Sequence, residues 1–187
     1  MKTDLSREAK NELLSLARKT IEERLKTGQI PKYEPRLPVL LEKRGAFVTL
    51  KKKGDLRGCI GNFQSRENLA RTIQEMALAA AFEDPRFSPV TLPELAKIDI
   101  EISVLTPLKE VQDPREIKVG EDGIYITRGL NRGVFLPQVA TEQKWDRETF
   151  LENCCYKAGL PGDAWEKKGT KIEKFQAIIF GEKESGK

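Results

Sequence analysis

Apolar residues at Leu5, Ala9, Leu13, Leu16, Ala17, Ile21 and Leu25 recur at intervals of three and four, which predicts an amphipathic helix from just after Thr3 to Lys26, ended by Gly28. Its polar face carries Arg7, Lys10, Glu12, Arg18 and Glu22, a solvated face with internal ion pairing. Pro31, Pro35 and Pro38 then exclude a regular helix and predict an extended connection. Residues 45–50, Gly-Ala-Phe-Val-Thr-Leu, read as a strand, 52–55 as a polar turn, and Leu56-Arg57-Gly58-Cys59-Ile60-Gly61 as the returning strand of a hairpin. The Lys51-Lys52-Lys53 cluster is read as a water-exposed hairpin tip, with an anion site as the other reading.

Ser65 is placed to cap a second helix, whose buried face is Leu69, Ile73, Met76, Ala77, Ala80 and Ala81 and which stops at Asp84, because the residue before Pro85 is pushed out of the helical region. Asp84-Pro85-Arg86-Phe87-Ser88-Pro89 follows as a loop stiffened by two prolines. After a short helical turn at 91–95, Ile98, Ile100, Ile102 and Val104 alternate with Asp99, Glu101 and Ser103, the pattern of a half-buried strand. Its carboxylate face is either a solvent face or the wall of a cleft.

Farther on, Asp113 to Glu116 begins a helical turn, 124–127 and 134–136 are short strands about a glycine-bounded turn, and Pro137 stops the second of them. Asp146 caps a helix with Thr149, Phe150, Asn153, Cys154 and Lys157 on one face, ended by Gly159. On that helix Cys154 and Cys155 point to different sides and do not chelate as a pair. Residues 175–180 close the chain as one strand, leaving a frayed polar tail from Glu182 to Lys187. No internal repeat or long linker is visible, so one folding unit is the simplest organisation.

Composition changes this picture mainly by exclusion. A chain of 187 residues can bury a proper core without disulfides or metals, and its net charge of +4 is spread among interleaved acids and bases, so no nucleic-acid partner is expected. There is no apolar run long enough for a bilayer and no apolar core of a secretory signal, which predicts a soluble cytoplasmic protein with no membrane partner. Three cysteines do not form a disulfide framework, in keeping with a reducing compartment. The sequence contains no histidine at all. That removes Ser-His and Cys-His nucleophile pairs and His-ligated zinc, and leaves proton transfer to carboxylate, Lys, Tyr, Cys or a bound group.

The stretch from Leu56 to Gly61 holds the candidate chemistry. If it is extended, a two-residue period puts Arg57, Cys59 and Gly61 on one side and Leu56, Gly58 and Ile60 on the other, so that a thiol and a guanidinium share a face. Gly58 and Gly61 mark a bulge, a bend or the close approach of a backbone or ligand; the plainer reading is a small buried cysteine with glycines that make room for a helix. The catalytic candidates are Cys59, Arg57, Glu83, Asp84 and Glu142. Candidates for binding substrate are Arg57, Gly58, Gly61, Arg86, Phe87 and Gln138. No metal ligands are spaced for a site, and no cofactor is named by the residues.

The Leu56 to Gly61 motif, the Asp84 to Pro89 loop, the 98–105 strand, Phe135-Leu136-Pro137-Gln138-Val139 with Glu142 and Trp145, and Lys157-Ala158-Gly159-Leu160-Pro161 together resemble the AMMECR family over nearly the whole chain. The resemblance implies an α+β fold with an antiparallel sheet flanked by helices, in which the N- and C-terminal parts build the larger domain and a smaller subdomain is inserted from the middle. It also implies, for prokaryotic members, association with a Memo-like protein and a radical S-adenosylmethionine protein. No established reaction comes with it.

Two functions from different classes follow. One is an enzyme or enzyme partner acting on a small molecule or modified side chain, with Cys59 in a cleft formed by the proline-stiffened loop and the 135–138 segment; Arg57 lowers the thiol pKa or holds an anionic group, and Glu83, Asp84 or Glu142 moves a proton. The other is a docking scaffold that presents Arg57, Arg86, Phe87 and Trp145 to other proteins with no chemistry.

Overall fold

The computed structural model describes residues 5–183. In chain order the elements are α1 (Arg7–Thr27), β1 (Ala46–Lys52), β2 (Asp55–Asn62), α2 (Leu69–Phe82), α3 (Leu92–Leu95), β3 (Ile98–Leu105), β4 (Lys109–Glu110), β5 (Gly123–Arg128), β6 (Asn131–Phe135), α4 (Pro137–Glu142), α5 (Arg147–Lys157), β7 (Lys171–Phe175) and β8 (Ala177–Gly181). Helical 3-10 turns lie at Pro38–Leu41, Pro114–Glu116 and Gly162–Glu166. The class is α+β, with antiparallel strand pairing. Two compact units divide the chain: one runs to Leu105 and resumes at Ile178, and the other is Thr106–Ala177.

In the first unit the strands are ordered β2-β1-β3-β8. The β1–β2 turn works because Lys53 and Gly54 both adopt positive φ, 57° and 93°, which matches the twist of a two-residue hairpin. Helix α1 starts where the Ser6 hydroxyl oxygen accepts the Ala9 N–H and ends at Gly28 with φ 74°. Its apolar stripe, with that of α2, covers one face of the sheet: Leu13, Ile21 and Ile73 join Val48, Leu50, Ile100 and Ile102 in a single core. The α2 cap is Asn68, whose side chain accepts the Arg71 N–H at 2.9 Å, and not Ser65. The Ser65 oxygen instead accepts from the Glu67 N–H and the Thr72 hydroxyl.

Two expectations for the C-terminus need correction. The apolar run at 175–180 is not one strand: it breaks at Gln176, with β7 in one sheet and β8 in the other. Nor is Glu182 frayed, since its carboxylate accepts from the Arg18 guanidinium and from the Ile100 N–H at 2.8 Å. The rest of that tail, 184–187, lies outside the described residues, as do residues 1–4 at the predicted start of α1.

The second unit has strand order β4-β7-β5-β6. Helix α5, capped by Asp146 on the Thr149 N–H, buries Phe150, Leu151, Cys154 and Cys155 against Ile117, Ile124, Ile126 and Ile172. Gly133 permits this packing, because a Cβ there would stand 2.4 Å from the Cys154 carbonyl oxygen. Pro137 does more than stop a strand: it is the first residue of α4, where its missing N–H and fixed φ suit a helix start. Among the described residues no helix is long and apolar enough to cross a membrane.

Candidate functional site

Strand β2 forms an outer edge of the first sheet, and its register against β1 slips once. Leu50 faces Gly58 and Lys51 faces Leu56, which leaves Arg57 as the extra residue of a β-bulge. The bulge interrupts the two-residue alternation, so the expectation that Arg57 and Cys59 share a face is incorrect. Cys59 lies opposite Thr49, whose hydroxyl donates to Sγ at 3.2 Å. Arg57 turns to α3 instead: Nε and Nη2 each stand 2.9 Å from a Glu94 carboxylate oxygen, and Nη2 donates to the Ser88 carbonyl at 2.8 Å. Lys52 adds a third donor to Glu94 at 2.8 Å. Hydrogen bonds from Arg57 first and Lys52 second hold the Glu94 carboxyl down to about 2.

The exposed backbone edge of β2 at Cys59 is closed by the proline-stiffened loop. Asp84 Oδ2 accepts the Cys59 N–H at 2.9 Å, and Arg86 Nη2 donates to the Cys59 carbonyl at 3.3 Å. The same two side chains are paired, Arg86 Nη2 standing 2.7 Å from Asp84 Oδ2. Asp84 is thus buried, with 2% of its side chain exposed, while Arg86 is 53% exposed. The Arg86 hydrogen bond, reinforced by the Cys59 N–H, holds the Asp84 carboxyl well below the usual carboxylate range despite burial. An unpaired sheet edge otherwise invites pairing with another chain, and this loop satisfies one residue of it. Phe87 completes the loop, with the Arg57 and Arg86 guanidinium carbons 5.7 and 5.5 Å from its ring centroid.

Both motif glycines have packing explanations. A Cβ on Gly58 would lie 2.2 Å from the Ala80 carbonyl oxygen of α2, and one on Gly61 would lie 2.3 Å from the Phe47 ring. Phe47 in turn meets Phe63 edge to face at 5.0 Å. Gly58 therefore sets the distance between helix and sheet, and Gly61 admits the aromatic ring across it.

What remains available for chemistry is the face that carries the Cys59 thiol. Across the strands Cys59 stands opposite Thr49, and Thr49 opposite Glu101. Lys51 Nζ pairs with Glu101 Oε2 at 2.8 Å. Thiol, hydroxyl, carboxylate and ammonium thus share one side of the sheet. Cys59 is partly buried, whereas Cys154 and Cys155 are fully enclosed. Burial pushes the Cys154 thiol up to about 12 and raises Cys155 as well. Cys154 lies toward Ile126 and Cys155 toward Trp165, so both sides of the helix are covered.

Of the remaining sequence candidates, Glu83 closes α2, and Gln138 and Glu142 belong to α4 in the other unit. The sequence does not tie Thr49, Lys51 or Glu101 to Cys59: Lys51 enters there only in the hairpin-tip cluster and Glu101 only on the carboxylate face of its strand. The alternation of β1 and β3, combined with hairpin pairing, is the signal that places them beside Cys59. Among the described residues no group of three or more Cys, Asp or Glu side chains is placed to hold a metal ion.

The AMMECR1 family model matches residues 14–180. A protein of Methanothermobacter thermautotrophicus is 48% identical over 185 residues, spanning 95% of this chain and 96% of its own. Protein PF1979 of Pyrococcus furiosus is 46% identical over 183 residues, spanning 91% and 86%. The crystal structure of uncharacterised protein PH0010 from Pyrococcus horikoshii superposes with a TM-score of 0.77 at 43% identity, covering 92% of this chain and 91% of that one. A family match of that extent, joined to relatives similar along nearly their whole lengths, means that the chain belongs to the AMMECR1 family.

Proposed function

We propose that this protein is an enzyme or enzyme partner that engages a small molecule or a modified side chain on the Cys59 face of its first sheet. The sulfur is the atom that reacts with the ligand or holds it. The observation that carries this reading is the difference between the cysteines: Cys59 is partly open and receives a hydroxyl hydrogen bond, while the other two are enclosed. A cysteine sulfur that a reagent can reach acts as a nucleophile, and one enclosed in a core does not. Arg57 contributes to the stability of the strand edge and not to the chemistry, since its guanidinium is bound to Glu94 and Ser88. Asp84 and Arg86 fix the backbone on either side of the sulfur.

The partners proposed are a Memo-like protein and a radical S-adenosylmethionine protein. A second reading, a non-catalytic docking scaffold, draws on the same region because Leu56 is 44% exposed and Arg86, although paired with Asp84, keeps 53% of its side chain exposed beside Phe87. Cys59→Ser separates the two. Co-expression with those two partner proteins, followed by mass analysis of partners and small molecules, is expected to show a modification or product with the unaltered chain and none with Cys59→Ser, while complex formation is retained. An unchanged product pattern overturns the thiol reading and leaves the scaffold.

A further inference from the structure

Strand β2 is the outer strand of its sheet, so one of its two backbone edges has no strand beside it. In an antiparallel pair, residues that exchange both backbone hydrogen bonds with the partner strand alternate with residues whose N–H and C=O point away from it. Cys59 is of the second kind, because its N–H goes to Asp84 Oδ2 at 2.9 Å and its carbonyl accepts from Arg86 Nη2 at 3.3 Å. The same alternation turns the backbone of Gly61, opposite Phe47, outward as well. On the other side of Cys59 the bulge at Arg57 interrupts the edge. The regular edge of β2 therefore centres on residues 59 and 61, and a side-chain ion pair occupies the first of them.

The loop that carries this ion pair is built to lie along the strand. Its base is set by the Val90 N–H on the Ala81 carbonyl at 2.9 Å, and its turn by the Phe87 N–H on the Asp84 carbonyl at 3.1 Å. Asp84 Oδ1 accepts from the Arg86 N–H at 3.1 Å and from Arg86 Nε at 2.9 Å, while Oδ2 takes Arg86 Nη2 at 2.7 Å. Farther along, Arg57 Nη2 reaches the Ser88 carbonyl at 2.8 Å. Carboxylate and guanidinium thus present one acceptor and one donor to a single residue, as a neighbouring strand would. Only 2% of the Asp84 side chain is exposed, and burying a carboxylate is a costly way to satisfy an edge N–H that water could otherwise reach.

What the pair excludes is a strand. With Cys59 closed, Gly61 alone is an isolated outward residue; with Cys59 open, two outward residues in succession offer the N–H and C=O groups of a short antiparallel ladder. Leu56, 44% exposed, lies beside that edge. A second copy of the chain brings an identical edge, and antiparallel pairing of a strand with its own copy satisfies a two-fold axis. We propose that the Asp84–Arg86 pair is a guard that keeps β2 from adding to β2 of a second copy of this chain, so that release of the pair joins two first-unit sheets edge to edge. The guard does not depend on the chemistry at Cys59.

The test is the association state of the full chain, measured by light scattering over a concentration series. Leu56→Lys should leave the state of the unaltered chain as it is, because its β2 edge takes no part in association. Asp84→Ala combined with Arg86→Ala removes the carboxylate together with its partner and leaves neither charge unpaired. This double variant should gain a further doubling, with self-association at least about tenfold tighter than that of the unaltered chain. In the doubled form the Gly61 N–H should gain protection from hydrogen exchange, and adding Leu56→Lys, a charge beside the opened edge, should reverse the doubling. If the double variant does not fold, Arg86→Ala alone, which frees the Cys59 carbonyl, decides by the same measurements, with a weaker doubling expected. A folded variant with the association state of the unaltered chain, a doubling that leaves Gly61 exchange unchanged or that Leu56→Lys does not reverse, or an unaltered chain whose own association is lost in Leu56→Lys overturns the proposal.

Discussion

The Asp84 carboxylate holds the backbone N–H of Cys59 at 2.9 Å, so a loop that follows α2 ties down the residue at the centre of an edge strand. Because Asp84 is also paired with Arg86, which reaches the Cys59 carbonyl, one ion pair satisfies both backbone polar groups of that residue. Asp84→Ala removes the acceptor and leaves Arg86 unpaired. Arg86 is largely exposed, which limits the loss to about 2–3 kcal/mol, measurable by urea denaturation at neutral pH.

Acid should weaken the same region. Asp84 and Glu94 are both held below the ordinary carboxylate range in the folded chain, so the unfolded chain takes up their protons first as pH falls. Their stabilisation is complete above about pH 5 and is lost as pH drops through the folded values, toward about pH 2. Asp84→Asn and Glu94→Gln should each flatten the fall of the denaturation midpoint across that window. A slope unchanged in both variants would show that these carboxylates are not the groups responsible.

The motif glycines should rank by what a methyl group meets. In Gly58→Ala it meets a backbone carbonyl of a core helix at 2.2 Å, and a loss of about 2–3 kcal/mol is expected. In Gly61→Ala it meets the root of the Phe47 ring at 2.3 Å and the Ala46 backbone carbonyl oxygen at 2.6 Å, and the loss should be at least as large as for Gly58→Ala. Thermal and chemical denaturation of the two variants side by side checks the order.

Arg57 should matter for stability and not for the thiol. Arg57→Gln removes the paired contacts to Glu94 and the bond to Ser88, leaving Lys52 on the carboxylate, and should cost about 1–3 kcal/mol. The alkylation rate of Cys59 should stay within about twofold of the unaltered chain, since the bulge turns the guanidinium away from the thiol face. A large rate change would restore a direct Arg57–thiol coupling.

Much of this architecture could be read along the chain because local chemistry and tertiary packing agree. Ser6 and Gly28 bound α1, and the alternation at Ile98 to Val104 marks β3, since each signal lies within the element it defines. The bulge at Arg57 could not be read that way, because register is a property of two strands and the alternation of one strand continues on paper without a break. Asn68 and not Ser65 caps α2, because the Glu67 N–H and the Thr72 hydroxyl of α2 engage the Ser65 oxygen. The run at 175–180 is uniformly strand-like, and nothing local says that it serves two sheets. In the site, the motif pointed to Cys59, Asp84 and Arg86, but Thr49 and Glu101 become visible only once three strands are laid in register.

Accessibility and reactivity of one sulfur decide the functional reading. In a time course of native-state alkylation resolved by mass spectrometry, Cys59 should be modified at least about a hundredfold faster than Cys154 or Cys155, which are enclosed and, for Cys154, raised to about 12. Modification of Cys59 no faster than of those two would contradict the assignment of the thiol face as the working surface of this protein.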